Sequence, residues 1–152
     1  MRMNAVRSET RSAAPDPVRM LDRQHPPGTC MVFVVDDDPS VRKSLDRLIR
    51  SVGLDVRVFA SAEEFLKSAS PLKPHCLILD VGLPGMSGID LQRHLMVHRS
   101  NVPIIFITAH GSDERARLEA MSDWTVAYFI KPFGPDELLD AVNVALKWTS
   151  GG

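Results

Sequence analysis

The sequence predicts an α/β protein: a doubly wound sheet of five parallel strands with five helices packed on its two faces. Three observations carry that expectation. Short apolar runs recur five times, each is followed by apolar residues at helical spacing, and the runs are apolar at nearly every position rather than at alternate ones. Strands that are apolar throughout are covered on both faces, as in parallel sheets whose crossover helices lie above and below. Right-handed crossovers then close the pattern into an open sandwich.

The first unit is Met31-Val32-Phe33-Val34-Val35, followed by Val41, Leu45, Leu48, Ile49 and Val52 and closed by Gly53. Asp38 before Pro39 is an N-cap signal: the carboxylate accepts a free N–H, and proline in the first turn forfeits no helical bond. The second run, Val56-Arg57-Val58-Phe59, carries a charge in its middle, which predicts an edge strand. Its helix opens at Ser61 with Glu64 three positions on, the pattern of a reciprocal capping box. Cys76-Leu77-Ile78-Leu79 is the third strand, with a helix from about Ser87 carrying Ile89, Leu91, Leu95 and Met96. Ile104-Ile105-Phe106-Ile107 is the fourth, with a helix near 112–121. Ala127-Tyr128-Phe129-Ile130 and a helix carrying Leu138, Leu139, Val142, Ala145 and Leu146 complete the fifth unit.

A chain of 152 residues can build one well-filled core, and its 44% hydrophobic and 24% charged residues exclude fibrous and wholly disordered classes. The formal net charge of −1 offers no basic excess to neutralise phosphates, so nucleic-acid binding by this chain alone is not expected. No apolar run approaches the length of a membrane span. Cys30 and Cys76 match neither a disulfide framework nor a zinc spacing and read as small buried hydrophobes in a reducing, cytoplasmic setting. Residues 1–29, punctuated by Pro15, Pro17, Pro26 and Pro27, read as a disordered tail, residues 30–148 as one domain, and 149–152 as a short C-terminal tail.

In such a sheet, ligands sit at the carboxyl ends of the strands. The first strand ends in Asp36-Asp37-Asp38, the third in Asp80, the fourth in Thr108-Ala109 and the fifth in Lys131-Pro132. Parallel strands gather these on one rim. Clustered carboxylates raise each other's pKa unless a cation balances them, and an all-oxygen set suits a hard divalent ion such as Mg²⁺. Each residue also has a plainer role: Asp38 as a helix cap, Thr108 as a backbone partner, Lys131 as a surface amine. Asp80 precedes Val81-Gly82-Leu83-Pro84-Gly85, a turn segment expected to leave its side chain exposed at the sheet edge.

Asp36-Asp37, then Leu79-Asp80 with Pro84-Gly85-Met86-Ser87-Gly88, then Thr108-Ala109, then Lys131-Pro132-Phe133 resemble, in that order, the receiver domain of bacterial response regulators. The likeness covers residues 31 to about 147. It implies a flavodoxin-like, CheY-like fold with strand order 2-1-3-4-5, and a phosphoacceptor signalling protein that catalyses only its own phosphorylation and dephosphorylation. Asp80 would take a phosphoryl group from a phosphohistidine on a sensor histidine kinase or phosphotransfer protein. Asp37, Asp80 and the Gly82 carbonyl would bind Mg²⁺ directly and Asp36 mainly through water. Lys131, Thr108 and the Ala109 N–H would contact phosphoryl oxygens, and the Lys131–Pro132 bond would be cis. Tyr128 would turn as Thr108 moves. The fourth helix, fifth strand and fifth helix would form the output face, through which the chain could pair with itself or with a downstream target.

Nothing resembling an effector domain follows, so the chain reads as a stand-alone receiver, with the receiver part of a longer transcription regulator as the alternative. Gly82 stands where many receivers carry a larger polar side chain, which motivates a short-lived acyl phosphate. His110 reads as a solvated loop residue. Ser122-Asp123-Trp124-Thr125 replaces a small turn, with Trp124 expected to cap the fourth helix or meet a partner. A competitor from another class is the haloacid-dehalogenase type of phosphatase, in which Asp36 of Asp36-Asp37-Asp38 would be the nucleophile. That pattern requires a later acidic pair on a strand, whereas Phe133-Gly134-Pro135-Asp136-Glu137 opens a helix. A receiver that binds partners without being phosphorylated is a third reading.

Overall fold

In the computed structural model, which describes residues 30–68, 74–98, 100–109 and 114–150, the five apolar runs form five strands. They are β1 (Met31–Val35), β2 (Asp55–Phe59), β3 (Cys76–Asp80), β4 (Ile104–Thr108) and β5 (Thr125–Ile130). Between and after them run α1 (Pro39–Ser51), α2 (Ala62–Lys67), α3 (Gly88–Val97), α4 (Glu114–Ala120) and α5 (Pro135–Ser150). All strand pairs are parallel, in the order β2-β1-β3-β4-β5. The N-terminal tail assigned to 1–29 and the loop residue His110 lie outside the described residues. The C-terminal tail starts later than expected: α5 continues through Thr149, whose hydroxyl donates to the Leu146 carbonyl.

Successive strand side chains point to opposite faces, and the two cores follow that alternation. Val32, Val34, Ile78, Ile105 and Ile107 pack with Leu45 and Ile49 of α1 and Leu138 and Val142 of α5. Phe33, Val35, Leu77, Leu79 and Phe106 pack on the other face with α2, α3 and Ala120 of α4. Central strands β1, β3 and β4 are buried at every position. Arg57 is exposed on edge strand β2, as its charge predicts. β5 departs from the expected full coverage. As the other edge strand it is half-buried from residue 125 to 129 and exposed at Ile130, and a register shift between Ile104 and Ile105 sets an extra residue into its start.

Local chemistry fixes the helix starts. The Asp38 carboxylate caps α1 by accepting from the Ser40 N–H at 2.9 Å, with proline in the first turn. Ser61 caps α2 through the Glu64 N–H, but the box is not closed as the pattern predicts: the Glu64 carboxylate accepts from Ala60 rather than from Ser61. The full reciprocal box occurs at α3, between Ser87 and Asp90. Cys76 is buried, and burial pushes its thiol far above the ordinary range, whereas Cys30 is only half-buried.

The turn before β5 is built around Gln92, which is 2% exposed on α3. Its amide donates to the Ala120 carbonyl at 2.8 Å and to the Ser122 hydroxyl at 3.1 Å. The Thr125 hydroxyl donates to the same Ala120 carbonyl at 2.6 Å. A buried polar side chain must be satisfied, and this one closes α3, α4 and β5 around a single carbonyl. The Trp124 indole meets Trp148 of α5 edge-on, with ring centroids 6.2 Å apart.

Candidate functional site

Register brings the acids together. Val35 stands opposite both Phe59 and Leu79, so the residues that follow it and Leu79, Asp36 and Asp80, emerge side by side from adjacent strands. On the far side Thr108 pairs with Ile130, which places Lys131 one residue past the sheet, with its N–H donating to the Thr108 carbonyl at 2.8 Å. Asp36, Asp37 and Asp80 each offer a carboxylate oxygen, all within 4.8 Å of one another. The expected rim is formed. Thr108 is buried at the end of β4, Ala109 beside it and Gly82 after Asp80 are exposed, and the Lys131–Pro132 bond is cis.

Hydrogen bonding separates the three carboxylates. Asp36 is fully buried: one oxygen accepts the Asp38 N–H at 2.8 Å and the other accepts from Lys131 Nζ at 2.8 Å. Asp80 accepts the Gly82 N–H at 3.1 Å on Oδ1, while its Oδ2 has the longer 3.7 Å contact with Lys131. Asp37 is exposed. The expectation that the turn leaves Asp80 exposed is corrected here. Its side chain is 7% exposed: it ends a central strand between β1 and β4, with Lys131 Nζ 3.7 Å from Oδ2.

Burial raises the Asp80 pKa above its ordinary value, the charges of Asp36 and Asp37 add to that, and the Gly82 N–H and Lys131 act against it. Burial alone would lower Lys131, but the hydrogen bond to Asp36 and the charges of Asp80 and Asp36 outweigh it and leave the amine above its ordinary pKa. One ammonium faces three carboxylates, so the rim retains a local negative excess. An all-oxygen donor set with uncompensated charge fits a hard divalent cation such as Mg²⁺.

Two contacts had no signal in the sequence. The Arg42 guanidinium of α1 donates to the Asp36 carbonyl at 2.7 Å, holding the backbone that carries two of the acids. The Glu63 carboxylate of α2 accepts the Met86 N–H at 2.9 Å, across 23 residues. Neither belongs to a local pattern, since both depend on how α1 and α2 lie against the strand ends.

A sequence model of the response regulator receiver domain matches residues 32–143. Nodulation protein W of Bradyrhizobium diazoefficiens is 51% identical over 115 residues, covering 76% of this chain and 50% of that protein. Transcriptional regulatory protein TdiR of Thauera aromatica is 43% identical over 115 residues, covering 76% of this chain and 50% of that protein. The solved response regulator StyR superposes with a TM-score of 0.71 at 40% identity, covering 82% of this chain and 62% of that one. The chain spans about half the length of the curated relatives it matches. A phosphatase of the haloacid-dehalogenase type is set aside by these matches and by Asp36, whose two oxygens are both engaged inside the protein. With sheet order, acidic rim and sequence in agreement, this chain belongs to the response regulator receiver family.

Proposed function

We propose that this receiver accepts a phosphoryl group from a phosphohistidine of a sensor kinase or phosphotransfer protein onto Asp80. One observation carries the choice of Asp80 over Asp36: Asp36 has both oxygens tied down, whereas Asp80 Oδ2 has, among the described residues, only a 3.7 Å ion contact and stands beside the amine that would receive the new charge. Asp80 Oδ2 attacks phosphorus, the P–N bond breaks, and the imidazole leaves with the electron pair. Lys131 neutralises a phosphoryl oxygen, while the Thr108 hydroxyl and the Ala109 N–H donate to others, so the chain contributes positioning and charge stabilisation. Asp37, Asp80 and the Gly82 carbonyl would hold Mg²⁺ directly and Asp36 through water, and the ion supplies neutralisation of the carboxylate and phosphoryl oxygens. Tyr128, half-buried against Phe106 with centroids 6.2 Å apart, serves as the aromatic that answers Thr108, and the α4-β5-α5 face carries the output to a protein target or to a second copy.

The test is incubation with acetyl phosphate and Mg²⁺, followed by borohydride trapping and peptide mass analysis. Label on Asp80 that disappears in Asp80→Asn supports the proposal; equal labelling of both proteins refutes it. A second reading, that this receiver regulates an attached transcription-factor domain, is favoured by relatives about twice the matched length. The mass of the native gene product decides between that and a free-standing relay.

A further inference from the structure

The backbone of the turn between β3 and α3 is held by hydrogen bonds at its two ends and at one point in between. At its far end Gly88 is pressed onto the strand, for a Cβ there would lie 2.3 Å from the Asp80 carbonyl oxygen. Its N–H donates to the Val81 carbonyl at 3.2 Å. At its near end the Gly82 N–H bonds to Asp80 Oδ1. Between these lies Leu83-Pro84-Gly85-Met86; Leu83 is buried in the α2/α3-face core, and among the described residues the one hydrogen bond to the segment from another element is the Glu63 carboxylate accepting the Met86 N–H. That bond holds the Glu63 carboxyl below the ordinary range. The approach is close: Gly85 has φ 74°, and a Cβ on it would stand 2.7 Å from the bonding oxygen of Glu63. A side chain at 85 would be strained by its backbone and would also push the carboxylate away.

We propose that Glu63 is a positioning residue for the acidic rim: through Met86 it fixes the 81–87 turn, and so fixes the Gly82 backbone that faces Asp80. Its consequence for phosphoryl lifetime rests on the reading of Asp80 as phosphoacceptor, but the placement of Gly82 does not. The bond needs an oxygen acceptor, which glutamine keeps and alanine lacks.

The experiment measures amide hydrogen exchange at Met86 and Gly82 by NMR in metal-free buffer, and Mg²⁺ affinity from the Gly82 amide shift, in wild type, Glu63→Gln and Glu63→Ala. Glu63→Ala is expected to speed exchange at both amides and to weaken Mg²⁺ binding by about fivefold, the scale of one net hydrogen bond, with Glu63→Gln within about twofold of wild type. Unchanged Gly82 exchange and Mg²⁺ affinity in Glu63→Ala overturn the proposal even if Met86 exchanges faster, since Glu63 is then a local cap. Glu63→Gln as impaired as Glu63→Ala also overturns it, because charge and not the bond would be responsible. Parallel treatment with acetyl phosphate separates the two readings: the expected exchange pattern in a protein that takes no label supports the positioning role and removes the phosphoacceptor.

Discussion

Lys131→Met tests whether the rim is a balanced charge cluster or a set of unrelated surface groups. The substitution keeps most of the aliphatic stem and removes the one cation that, among the described residues, lies within ion-pair distance of Asp36 and Asp80. At an effective dielectric constant of about 20, opposite unit charges 2.8 Å apart attract by about 6 kcal/mol. Desolvation offsets part of this, and removing one partner of a buried pair costs ~3–5 kcal/mol. Asp36 is fully buried while the lysine side chain is 19% exposed, which favours the lower end, about 3 kcal/mol. For a domain of this size that corresponds to a Tm lowered by roughly 10 °C.

The assay is thermal unfolding in EDTA and again in millimolar Mg²⁺. The loss should be largest in EDTA and shrink with Mg²⁺, because a cation bound to the native rim stabilises it by mass action and replaces part of the missing charge. The pH dependence has a definite sign. Lys131 titrates above its unfolded value, so its contribution is complete below the ordinary lysine pKa and disappears as pH rises through the folded value. The difference between the proteins should therefore hold through neutrality and close only at strongly alkaline pH. A variant melting within about 2 °C of wild type in EDTA, or equally impaired with and without Mg²⁺, defeats the charge-cluster argument.

Asp80→Asn removes a carboxylate whose pKa is raised first by burial and then by its acidic neighbours. It should stabilise the metal-free protein at neutral pH, with the gain fading as pH falls through the raised value towards the ordinary aspartate range; a destabilised variant in urea titrations at pH 7 contradicts this. Gly82→Arg should lengthen the acyl-phosphate lifetime severalfold, since a Cβ at 82 meets nothing nearer than Asp80 Oδ1 at 3.9 Å and a side chain can shield the rim; an unchanged phosphate-release rate rejects it. Gln92→Met keeps volume but deletes the amide donor, and because Thr125 still donates to the Ala120 carbonyl the expected cost is about 1–2 kcal/mol, read from the shift in urea midpoint.

The strands and the gathering of Asp36, Asp80, Thr108 and Lys131 were legible in the sequence because parallel pairing carries strand ends to one rim with little freedom of register. What was not legible depends on covering and reach. Asp80 reads as exposed from its turn-rich neighbourhood, yet it is buried at the end of a central strand and Lys131 arrives from a strand end 51 positions along the chain. Ser61 and Glu64 have the spacing of a reciprocal cap, but a glutamate reaches Ala60 as readily as Ser61. Trp124 gives no sign of Trp148, since an aromatic at a turn has no periodicity from which its partner could be read.

The same alternation bears on how a change at Asp80 would leave the site. Asp80 follows Cys76 and Ile78 on the α1/α5 face of the sheet. Thr108 follows Ile104 and Phe106 on the opposite face, and Tyr128 packs into that second core from the neighbouring strand. A threonine in the middle of β4 could not serve both sides, because the sheet would separate it from Asp80. Thr108 is the last residue of the strand, where the sheet ends and no longer separates the two faces. Tyr128 pairs with Phe106, one same-face step before Thr108, so under the proposed switch a displacement of Thr108 would alter packing beside the ring on that face of the sheet. The proposed signal therefore crosses the sheet at its end and not through it, which places its first consequences on the side of α4.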